Sequence, residues 1–363
     1  MLKIIHGADF HLDSPFAGLA PERAAQRREE QRALLDRLSA LARERQADLV
    51  LLAGDLLDSR RLFRETVQAL SRSLGEIPCP VFIAPGNHDF YSPGSPWTGT
   101  EWPANVHIFT SGPERVDLPK LGCTLYGWAF TDSHRESGPL AGFRAEEEPE
   151  RLKLAVLHGE VEGGGHYGPI RREEIAASGL DYLALGHIHR GSGLQREGDT
   201  FWAYPGCPEG RGFDELGDKG VLYVEAEPGH VTVQPVPLCR RRYHVIPVEL
   251  GGEAEPLEAA RSALPSSAGE DVVRLVFQGE APAPDLARLE RELSHLCYGL
   301  SLVDQTRLPR ELWTRRGEDS LTGLFLQAMW ERCQAEPDSQ LCQLAARYGL
   351  AALENGEEVR CED

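Results

Sequence analysis

The first 84 residues alternate between apolar runs and amphipathic stretches, and this alternation constrains the fold more than any other feature of the sequence. The pattern predicts strands over 1–8, 48–53 and 79–84, separated by helices over 22–45 and 61–74. Such a β-α-β-α-β run predicts a parallel sheet that is buried on both faces. Ligands of sheets of this kind gather beyond the carboxyl ends of the strands, so functional residues are expected at that edge.

From about residue 105 the pattern changes to short strands separated by Gly and Pro turns, with one helix near 171–178. Two packed sheets with helices outside them are the natural arrangement for such a chain. The predicted fold class is therefore α/β, a two-sheet β-sandwich flanked by helices over residues 1–242.

A second pattern begins at Tyr243, where three strands alternate with two helices. It predicts a small α+β domain over 243–306. Residues 307–363 form a predicted helical tail, with Leu, Phe, Met and Trp at helical spacing. Those apolar stripes suit either a core or a docking face for a partner.

Five of the predicted strands in the first 190 residues end in carboxylate, carboxamide or imidazole side chains. These residues are Asp9 and His11, Asp55, Asn87 with His88 and Asp89, His158, and His187 with His189. A single Asp or His at a strand end is usually a cap or turn residue, but five clusters at one end of a sheet indicate a metal site. A carboxylate that bridges two divalent ions, with imidazole and carboxamide donors around it, suits Mn, Fe or Zn.

The eight cysteines are scattered without a C-x-x-C pair, which disfavours a structural zinc site or a disulfide framework.

The motif series D-x-H, G-D, G-N-H-D, H and G-H-x-H, all within residues 9–189, resembles the calcineurin-like metallophosphoesterase superfamily. Within it, the segments ADFHLDSPF, LHGEVEGGGHYGPI and YPGCPEGRGFDELGDKG are similar to the SbcD and YhaO type of DNA repair exonucleases, bacterial relatives of the meiotic recombination nuclease. The similarity covers the first 245 residues. In the layout of this family, the small second domain is a capping domain.

The resemblance implies a role for each matching residue. One metal would be bound by Asp9, His11 and His189, the other by Asn87, His158 and His187, and Asp55 would bridge them. His88 matches a catalytic histidine that is not a ligand. Asp58 stands where eukaryotic and archaeal relatives often have a histidine, so the residues that contact phosphate around it stay open.

The implied activity is a metal-dependent DNA exonuclease that hydrolyses phosphodiester bonds at DNA ends in repair, by two-metal activation of a bridging water; endonuclease activity stays open. The implied cofactors are two divalent ions, with Mn²⁺ first and Mg²⁺, Fe²⁺ or Zn²⁺ as alternatives. Two other functions are open: a phosphodiesterase or phosphatase that acts on a small nucleotide or other phosphoester, and a binding scaffold without catalysis.

The implied partners are DNA and an SMC-like coiled-coil ATPase, which would dock on the helices near 321–350, and the chain would form a homodimer. The net charge of −19 argues against nucleic acid, but the acidic excess is uneven. Residues 1–100 carry 12 basic and 13 acidic side chains, and residues 151–250 carry 11 and 14. Arginine clusters in these parts are candidate phosphate contacts, at Arg60, Arg61 and Arg64, at Arg171 and Arg172, and at Arg240, Arg241 and Arg242.

No apolar run approaches the roughly 20 residues that span a bilayer, and the N-terminus lacks a signal-peptide layout. We therefore expect a cytoplasmic protein without a membrane partner.

Overall fold

A computed structural model describes residues 1–16, 19–59, 62–148, 150–251, 255–335 and 340–355. These residues belong to two compact units, one of residues 1–242 and one from residue 243 onward. The division of the chain into three domains remains a prediction. None of the described helices is both long and apolar enough to cross a membrane.

Among its described residues, the first unit contains two six-stranded sheets, one two-stranded sheet of β8 and β9, and four α-helices. Its strands are β1 (Leu2–Gly7), β2 (Leu49–Leu52), β3 (Val81–Ile83), β4 (Val106–Ile108), β5 (Glu114–Leu118), β6 (Cys123–Gly127), β7 (Leu152–His158), β8 (Glu160–Val161), β9 (Pro169–Ile170), β10 (Tyr182–Gly186), β11 (Gln195–Glu197), β12 (Thr200–Ala203), β13 (Gly220–Glu227) and β14 (His230–Pro237). Its helices are α1 (Pro21–Glu44), α2 (Arg64–Gly75), α3 (Pro96–Gly99) and α4 (Arg172–Ala177). The predicted helices over 22–45 and 171–178 are close to α1 and α4. Arg61, the predicted start of the second helix, lies outside the described residues.

The first sheet has the strand order β14-β13-β1-β2-β3-β4, and the second has the order β11-β12-β10-β7-β6-β5. The strands β1, β2 and β3 are parallel, as predicted. Both sheets are nevertheless mixed, because β13 pairs antiparallel with β1 and β5 pairs antiparallel with β6. This architecture of two sheets flanked by helices agrees with the predicted fold class.

Alternate residues of the first sheet enter two different cores, because successive side chains of a strand point to opposite faces. Ile5 and Val50 pack in one core with Leu34 and Leu38 of α1. Ile4, on the other face, lies in a second core with residues of β7 and β10 from the second sheet. This double burial explains why β1, β2 and β3 are almost continuously apolar.

His6 lies between the two sheets and is fully buried. Its Nδ1 lies 2.9 Å from the Tyr182 hydroxyl, and its Nε2 lies 3.1 Å from the carbonyl oxygen of Leu185. A neutral ring that donates from Nε2 and accepts at Nδ1 satisfies both partners. Burial, opposed by the hydrogen bond to Leu185, lowers the pKa of His6 to about 3.

His6 should make the protein less stable in mild acid. Below about pH 6.5 the unfolded chain binds a proton at this residue while the folded chain does not, so unfolding is favoured as the pH falls. Between pH 7 and pH 5 the lost stability from this residue should be about 2 kcal/mol. Chemical denaturation at both pH values checks this. His6→Gln should lose less stability over that interval than wild type, whereas the exposed-site control His230→Gln should behave as wild type.

The second unit begins with a three-stranded sheet in the order β15 (Tyr243–Glu249), β16 (Val272–Gln278) and β17 (Gly299–Asp304). Both strand pairs are parallel, since α5 (Pro256–Ala263) and α6 (Leu286–Leu293) provide the crossovers. In the described part of the chain after β17, three α-helices follow: α7 (Arg310–Thr314), α8 (Leu321–Ala335) and α9 (Gln340–Asn355). They share a separate small core that includes Trp313, Leu326 and Ala346.

Candidate metal centre

The predicted ligands lie where strands from both sheets end. Asp9 follows β1, Asp55 follows β2, and Asn87 follows β3 in the first sheet, whereas His158 ends β7 and His187 follows β10 in the second. The two sheets pack face to face, so the carboxyl ends of these five strands bring the side chains together.

Four of the seven predicted ligands have a positive φ angle. The values are 55° for Asp9, 44° for His11, 50° for Asp55 and 110° for His187. Each residue in such a conformation costs on the order of 1 kcal/mol unless it is glycine. Backbone strain of this kind persists where the surrounding structure holds it, and it clusters at functional sites.

Two glycines of the motifs allow the ligand loops to approach each other. A Cβ atom at Gly86 would lie 2.2 Å from Oδ1 of Asp55, and one at Gly186 would lie 1.8 Å from the carbonyl oxygen of Ala53. Neither contact is sterically tolerable. The glycines of G-N-H-D and G-H-x-H are therefore required by the packing of the loops that carry the site.

The candidate ligands form two groups. The first group is Asp9, His11 and His189, and the second group is Asp55, His158 and His187; within each, one ligand atom per residue lies within 4.8 Å of the others. This division matches the predicted one for five of the seven ligands, and Asp55, the predicted bridge, falls in the second group. Their binding of metal remains a prediction.

Asn87 and Asp55 complete the second group and connect it to the first. Oδ1 of Asn87 lies 3.0 Å from Nε2 of His158. Oδ2 of Asp55 lies 3.3 Å from the same nitrogen and 3.9 Å from Nε2 of His11 in the first group. The Asp55 carboxylate thus lies between the two groups, as its predicted bridging role requires.

The hydrogen bonds of the first group leave lone pairs facing each other. Nδ1 of His11 lies 3.0 Å from Oδ1 of Asp58, and Nδ1 of His189 lies 2.7 Å from Oε1 of Glu215. Nη2 of Arg211 also lies 3.0 Å from Nδ1 of His189. In the tautomer that donates to the carboxylates, each ring carries its proton on Nδ1. The two Nε2 atoms, which lie 3.0 Å apart, then both present lone pairs. Two nitrogens about 2.1 Å from one shared ion would lie about 3.0 to 3.4 Å apart, so the spacing fits a cation.

The second group shows the same arrangement of acceptors. Nδ1 of His158 donates to the carbonyl oxygen of Ala53 at 2.8 Å. Its Nε2 therefore points its lone pair at the oxygens of Asn87 and Asp55. Only a proton or a metal ion satisfies three acceptors that converge in this way. The donor set fits the two divalent ions that the sequence predicts.

Burial and charge perturb the predicted ligands. Burial raises the pKa of Asp9 to about 6, against the opposing effect of His158. Burial lowers the pKa of His11 and that of His187 to about 4, which keeps both imidazoles neutral and able to bind metal at neutral pH.

Asp55 and His158 behave as an ion pair. Burial opposes the charged form of both, but their mutual attraction outweighs it. The pKa of Asp55 is held below its usual range, and that of His158 is raised to about 9. A metal ion that binds Nε2 of His158 takes the place of this proton.

His88 differs from the predicted ligands because its side chain is exposed. Its Nδ1 donates to the carbonyl oxygen of Asp58 at 3.1 Å, and its backbone N–H donates to Oδ1 of Asp55 at 2.9 Å. His11, Asp58 and His88 also lie close enough to form a third potential metal-binding group. Its predicted role as a catalytic histidine that is not a ligand therefore needs a direct test.

Two other residues near the site were missed as contributors by the sequence analysis. Glu215 and Arg211 lie in the loop between β12 and β13, and Nη2 of Arg211 lies 3.1 Å from Oε1 of Glu215. Their segment supported the family resemblance, but neither residue forms part of the five motifs. No feature of the sequence predicted their contact with His189, which lies 26 residues from Glu215.

Asp89, which the sequence grouped with Asn87 and His88, supports the loops. Its carboxylate accepts hydrogen bonds from the backbone N–H groups of Leu56, Leu57 and Gly86. Burial, together with Asp55, raises the pKa of Asp89 to about 7. Asp89 therefore fixes the loop of Asp55 against the loop of Asn87.

Most of the arginines proposed as phosphate contacts are paired within the protein. Arg171 pairs with Glu174, Arg172 with Glu197, Arg242 with Asp218, and Arg240 and Arg241 with Glu30. Arg64 is exposed, and Arg60 and Arg61 lie outside the described residues. The expectation of an arginine-rich phosphate surface is weakened, because these guanidinium groups already have carboxylate partners.

Comparison with known proteins identifies the class of this protein. Residues 2–191 match the family of calcineurin-like phosphoesterases, and the chain belongs to that family. The predicted family is confirmed, and membership supports metal-dependent hydrolysis of phosphoesters.

Three relatives share most of the chain. It is 34% identical over 306 residues to YhaO, an uncharacterized metallophosphoesterase of Bacillus subtilis strain 168, a match that covers 77% of this chain and 72% of the relative. It is 28% identical over 275 residues to the SbcD chain of the nuclease SbcCD from the same organism, covering 63% and 67%. It is 26% identical over 269 residues to the DNA double-strand break repair protein Mre11 of Aeropyrum pernix, covering 69% and 64%.

Among solved structures, TT1561 of Thermus thermophilus aligns with 64% of this chain and 98% of its own at a TM-score of 0.40 and 13% identity.

Proposed function

We propose that this phosphoesterase is a DNA nuclease that uses two divalent ions, most favourably Mn²⁺, to hydrolyse phosphodiester bonds at DNA ends in repair, with exonuclease activity. The observation that carries the proposal is the convergence of imidazole nitrogens with carboxylate and amide oxygens in two adjacent groups. The relatives named as a nuclease chain and as a double-strand break repair protein support DNA as the substrate.

The chain would hold one ion through Asp9, His11 and His189 and the other through Asn87, His158 and His187, with Asp55 between them. When bound, the ion pair supplies a water nucleophile at neutral pH and neutralises charge on the phosphate oxygens. Three of the histidines are oriented through Nδ1, which lies against Asp58 for His11, Glu215 for His189 and the carbonyl of Ala53 for His158. Their Nε2 atoms are therefore the ones that would bind metal.

His88 would protonate the departing sugar oxygen. Its Nδ1 donates to the carbonyl of Asp58, so His88 would act as an imidazolium whose second proton, on Nε2, is the one transferred. The exposure of the ring leaves this nitrogen accessible to a substrate, unlike those of the buried His11 and His158.

One observation favours a second candidate substrate. The pairing of Arg171, Arg172 and Arg240–Arg242 with carboxylates leaves a surface less suited to a long polyanion than the sequence suggests. A small nucleotide or another phosphoester needs no such surface.

DNA cleavage should depend on added Mn²⁺. The purified chain is incubated with end-labelled linear DNA and, separately, with bis-p-nitrophenyl phosphate, each with Mn²⁺, Mg²⁺ or a chelator. We expect both substrates to be hydrolysed with Mn²⁺ and neither with the chelator. Shortening of the labelled DNA from its end would support the exonuclease. Hydrolysis of the small ester without any cleavage of DNA would replace the nuclease proposal with the small-substrate one.

We also propose an SMC-like ATPase as the partner and a homodimer as the working form. The support is the resemblance, together with exposed leucines on the last two helices. Leu321, Leu324 and Leu341 expose 69%, 70% and 75% of their surface, although Leu326 of the same segment is buried. Such a face suits docking to another apolar surface.

Removal of the tail should abolish binding of the ATPase. In a pull-down with the ATPase, truncation after Thr306 is expected to eliminate capture, and the double variant Leu321→Glu/Leu341→Glu should weaken it at least about tenfold through loss of apolar burial. Val245→Glu, which places a charge at another exposed apolar position, is the matched control and should bind normally. Full capture of the truncated chain would refute this docking proposal.

A further inference from the structure

The outer nitrogens of the first group are held by two carboxylates. Asp58 accepts from Nδ1 of His11 at 3.0 Å, and Glu215 accepts from Nδ1 of His189 at 2.7 Å. A carboxylate at this position orients the imidazole and makes its free nitrogen a stronger ligand. Both histidines of the first group thus have an anionic support.

Arg211 links the two carboxylates. Its Nη1 lies 3.4 Å from Oδ1 of Asp58, and its Nη2 lies 3.1 Å from Oε1 of Glu215. The same Nη2 also lies 3.0 Å from Nδ1 of His189, so Arg211 contacts this ring as well as its carboxylate. Its backbone N–H also donates to Oε2 of Glu215 at 2.8 Å. The planar guanidinium has several N–H donors in a fixed geometry, so it can contact both carboxylates at once. The ammonium group of a lysine has a single charged nitrogen and cannot bridge them in the same way.

The loop that carries Arg211 is anchored at its base. Glu209 is 2% exposed, and its Oε1 accepts from Nη1 of the fully buried Arg27 at 2.6 Å. Nη2 of Arg27 donates to the carbonyl oxygen of Gly210 at 2.9 Å, one residue before Arg211. The backbone N–H of Arg240 donates to Oε2 of Glu209 at 2.7 Å. The position of Arg211 is therefore fixed by buried interactions and not by the exposed part of the loop.

The second group has a different support. Nδ1 of His158 donates to a neutral carbonyl, that of Ala53. Within the described ranges of the chain, no carboxylate lies within 4.0 Å of a ring nitrogen of His187, and the Asp55 carboxylate near His158 faces its inner nitrogen, Nε2. The two groups therefore differ in the charge placed behind their imidazoles.

We propose that Arg211 is a positioning residue that holds Asp58 and Glu215 against His11 and His189, and that the first group is consequently the tighter of two unequal cation sites. The inference rests on the proposed two-cation site but not on DNA as its substrate. Residues that hold the ligands of a metal site typically contribute about 10- to 100-fold to affinity for the ion. The first group should bind Mn²⁺ at least about tenfold more tightly than the second.

The choice of substitution matters because Arg211 is itself a cation. Its removal would disturb the geometry but would also relieve its repulsion of a bound ion, and these effects oppose each other. Arg211→Lys retains the charge and removes the fork, so it isolates the positioning effect. Arg172→Lys is the matched control, since Arg172 forms an exposed ion pair with Glu197 at 2.5 Å, outside both groups.

The test is a titration of each full-length chain with Mn²⁺ alone, followed by calorimetry and by electron paramagnetic resonance of the bound ions. Wild type should bind two ions with unequal affinities. Arg211→Lys should weaken the tighter site about tenfold and leave the weaker site unchanged, and Glu215→Gln should act in the same direction. Arg172→Lys should match wild type.

Single-site variants assign the affinities. His187→Asn should leave one tight site, and His189→Asn should leave one weak site. Equal affinities in wild type, a tighter second group, or an unchanged titration of Arg211→Lys would each overturn the proposal. These outcomes differ from failure of the nuclease proposal, because a protein that binds two unequal Mn²⁺ ions but never cleaves DNA retains the inference. If Arg211→Lys does not fold, the Mn²⁺ titration of Glu215→Gln tests the proposal instead. An unchanged affinity of its tighter site would overturn the proposal.

Discussion

Replacement of Asp55 by asparagine should reduce kcat/KM for phosphodiester hydrolysis by about 10³-fold or more, or about 4 kcal/mol of transition-state stabilisation. Asp55 is the predicted ligand placed between the two groups, with one oxygen 3.3 Å from His158 and 3.9 Å from His11. Asparagine keeps the size of the side chain and can accept from the backbone N–H of His88. It lacks the negative charge that two neighbouring cations require in a bridging ligand.

The same variant should lose Mn²⁺. Elemental analysis after dialysis should find fewer than two ions per chain, and circular dichroism should show whether the fold is retained. Asp36→Asn is a suitable control, because Asp36 is a carboxylate on α1 that bonds Ser73 away from the site. Two tightly bound ions together with near wild-type turnover in Asp55→Asn would show that Asp55 does not bridge them.

Replacement of His88 by alanine should lower turnover on DNA by about 10²- to 10⁴-fold while both ions stay bound. The expected loss comes from the proton that the sugar oxygen needs as it departs. Hydrolysis of bis-p-nitrophenyl phosphate should be affected much less, because its leaving group needs little protonation. A comparison of the two substrates thus separates proton donation from a general disturbance of the site.

Metal content distinguishes the two possible roles of His88. The residue also lies with His11 and Asp58 in a group that could hold a cation. If His88→Ala loses an ion, and if its activity falls equally on both substrates, then His88 is a ligand and its proposed role as a proton donor is wrong. Elemental analysis of the variant alongside wild type provides the answer.

Much of the fold could be predicted because local patterns determine it. The apolar runs before Asp9, Asp55 and Asn87 are rich in Val, Ile and Leu and alternate with amphipathic stretches, so the parallel strands could be predicted from them. The antiparallel insertion of β13 beside β1 was not predicted, because that pairing joins residues more than 200 positions apart. Strand order of this kind depends on tertiary packing that a short pattern does not encode.

In the candidate site, too, contacts between residues that are distant in sequence could not be predicted from local patterns. The grouping of residues at strand ends could be predicted because the chemistry of their side chains and their position in the sheet agree. The supports of those residues were missed: Asp58 acts on His11 across 47 residues, and Glu215 acts on His189 from a loop without a motif. The carboxylate partner of Arg241 was missed for the same reason, since Glu30 lies 211 residues away. The role of the arginine clusters in phosphate binding remains a prediction.

A crystal structure of the chain soaked in Mn²⁺, with anomalous scattering measured at the manganese edge, shows directly whether these strand ends hold two ions. We expect two anomalous peaks about 3.5 to 4 Å apart, one on each side of the Asp55 carboxylate. The first should be bound by Asp9, His11 and His189, and the second by Asn87, His158 and His187. A single peak, no peak, or ions bound by other residues would contradict this expectation.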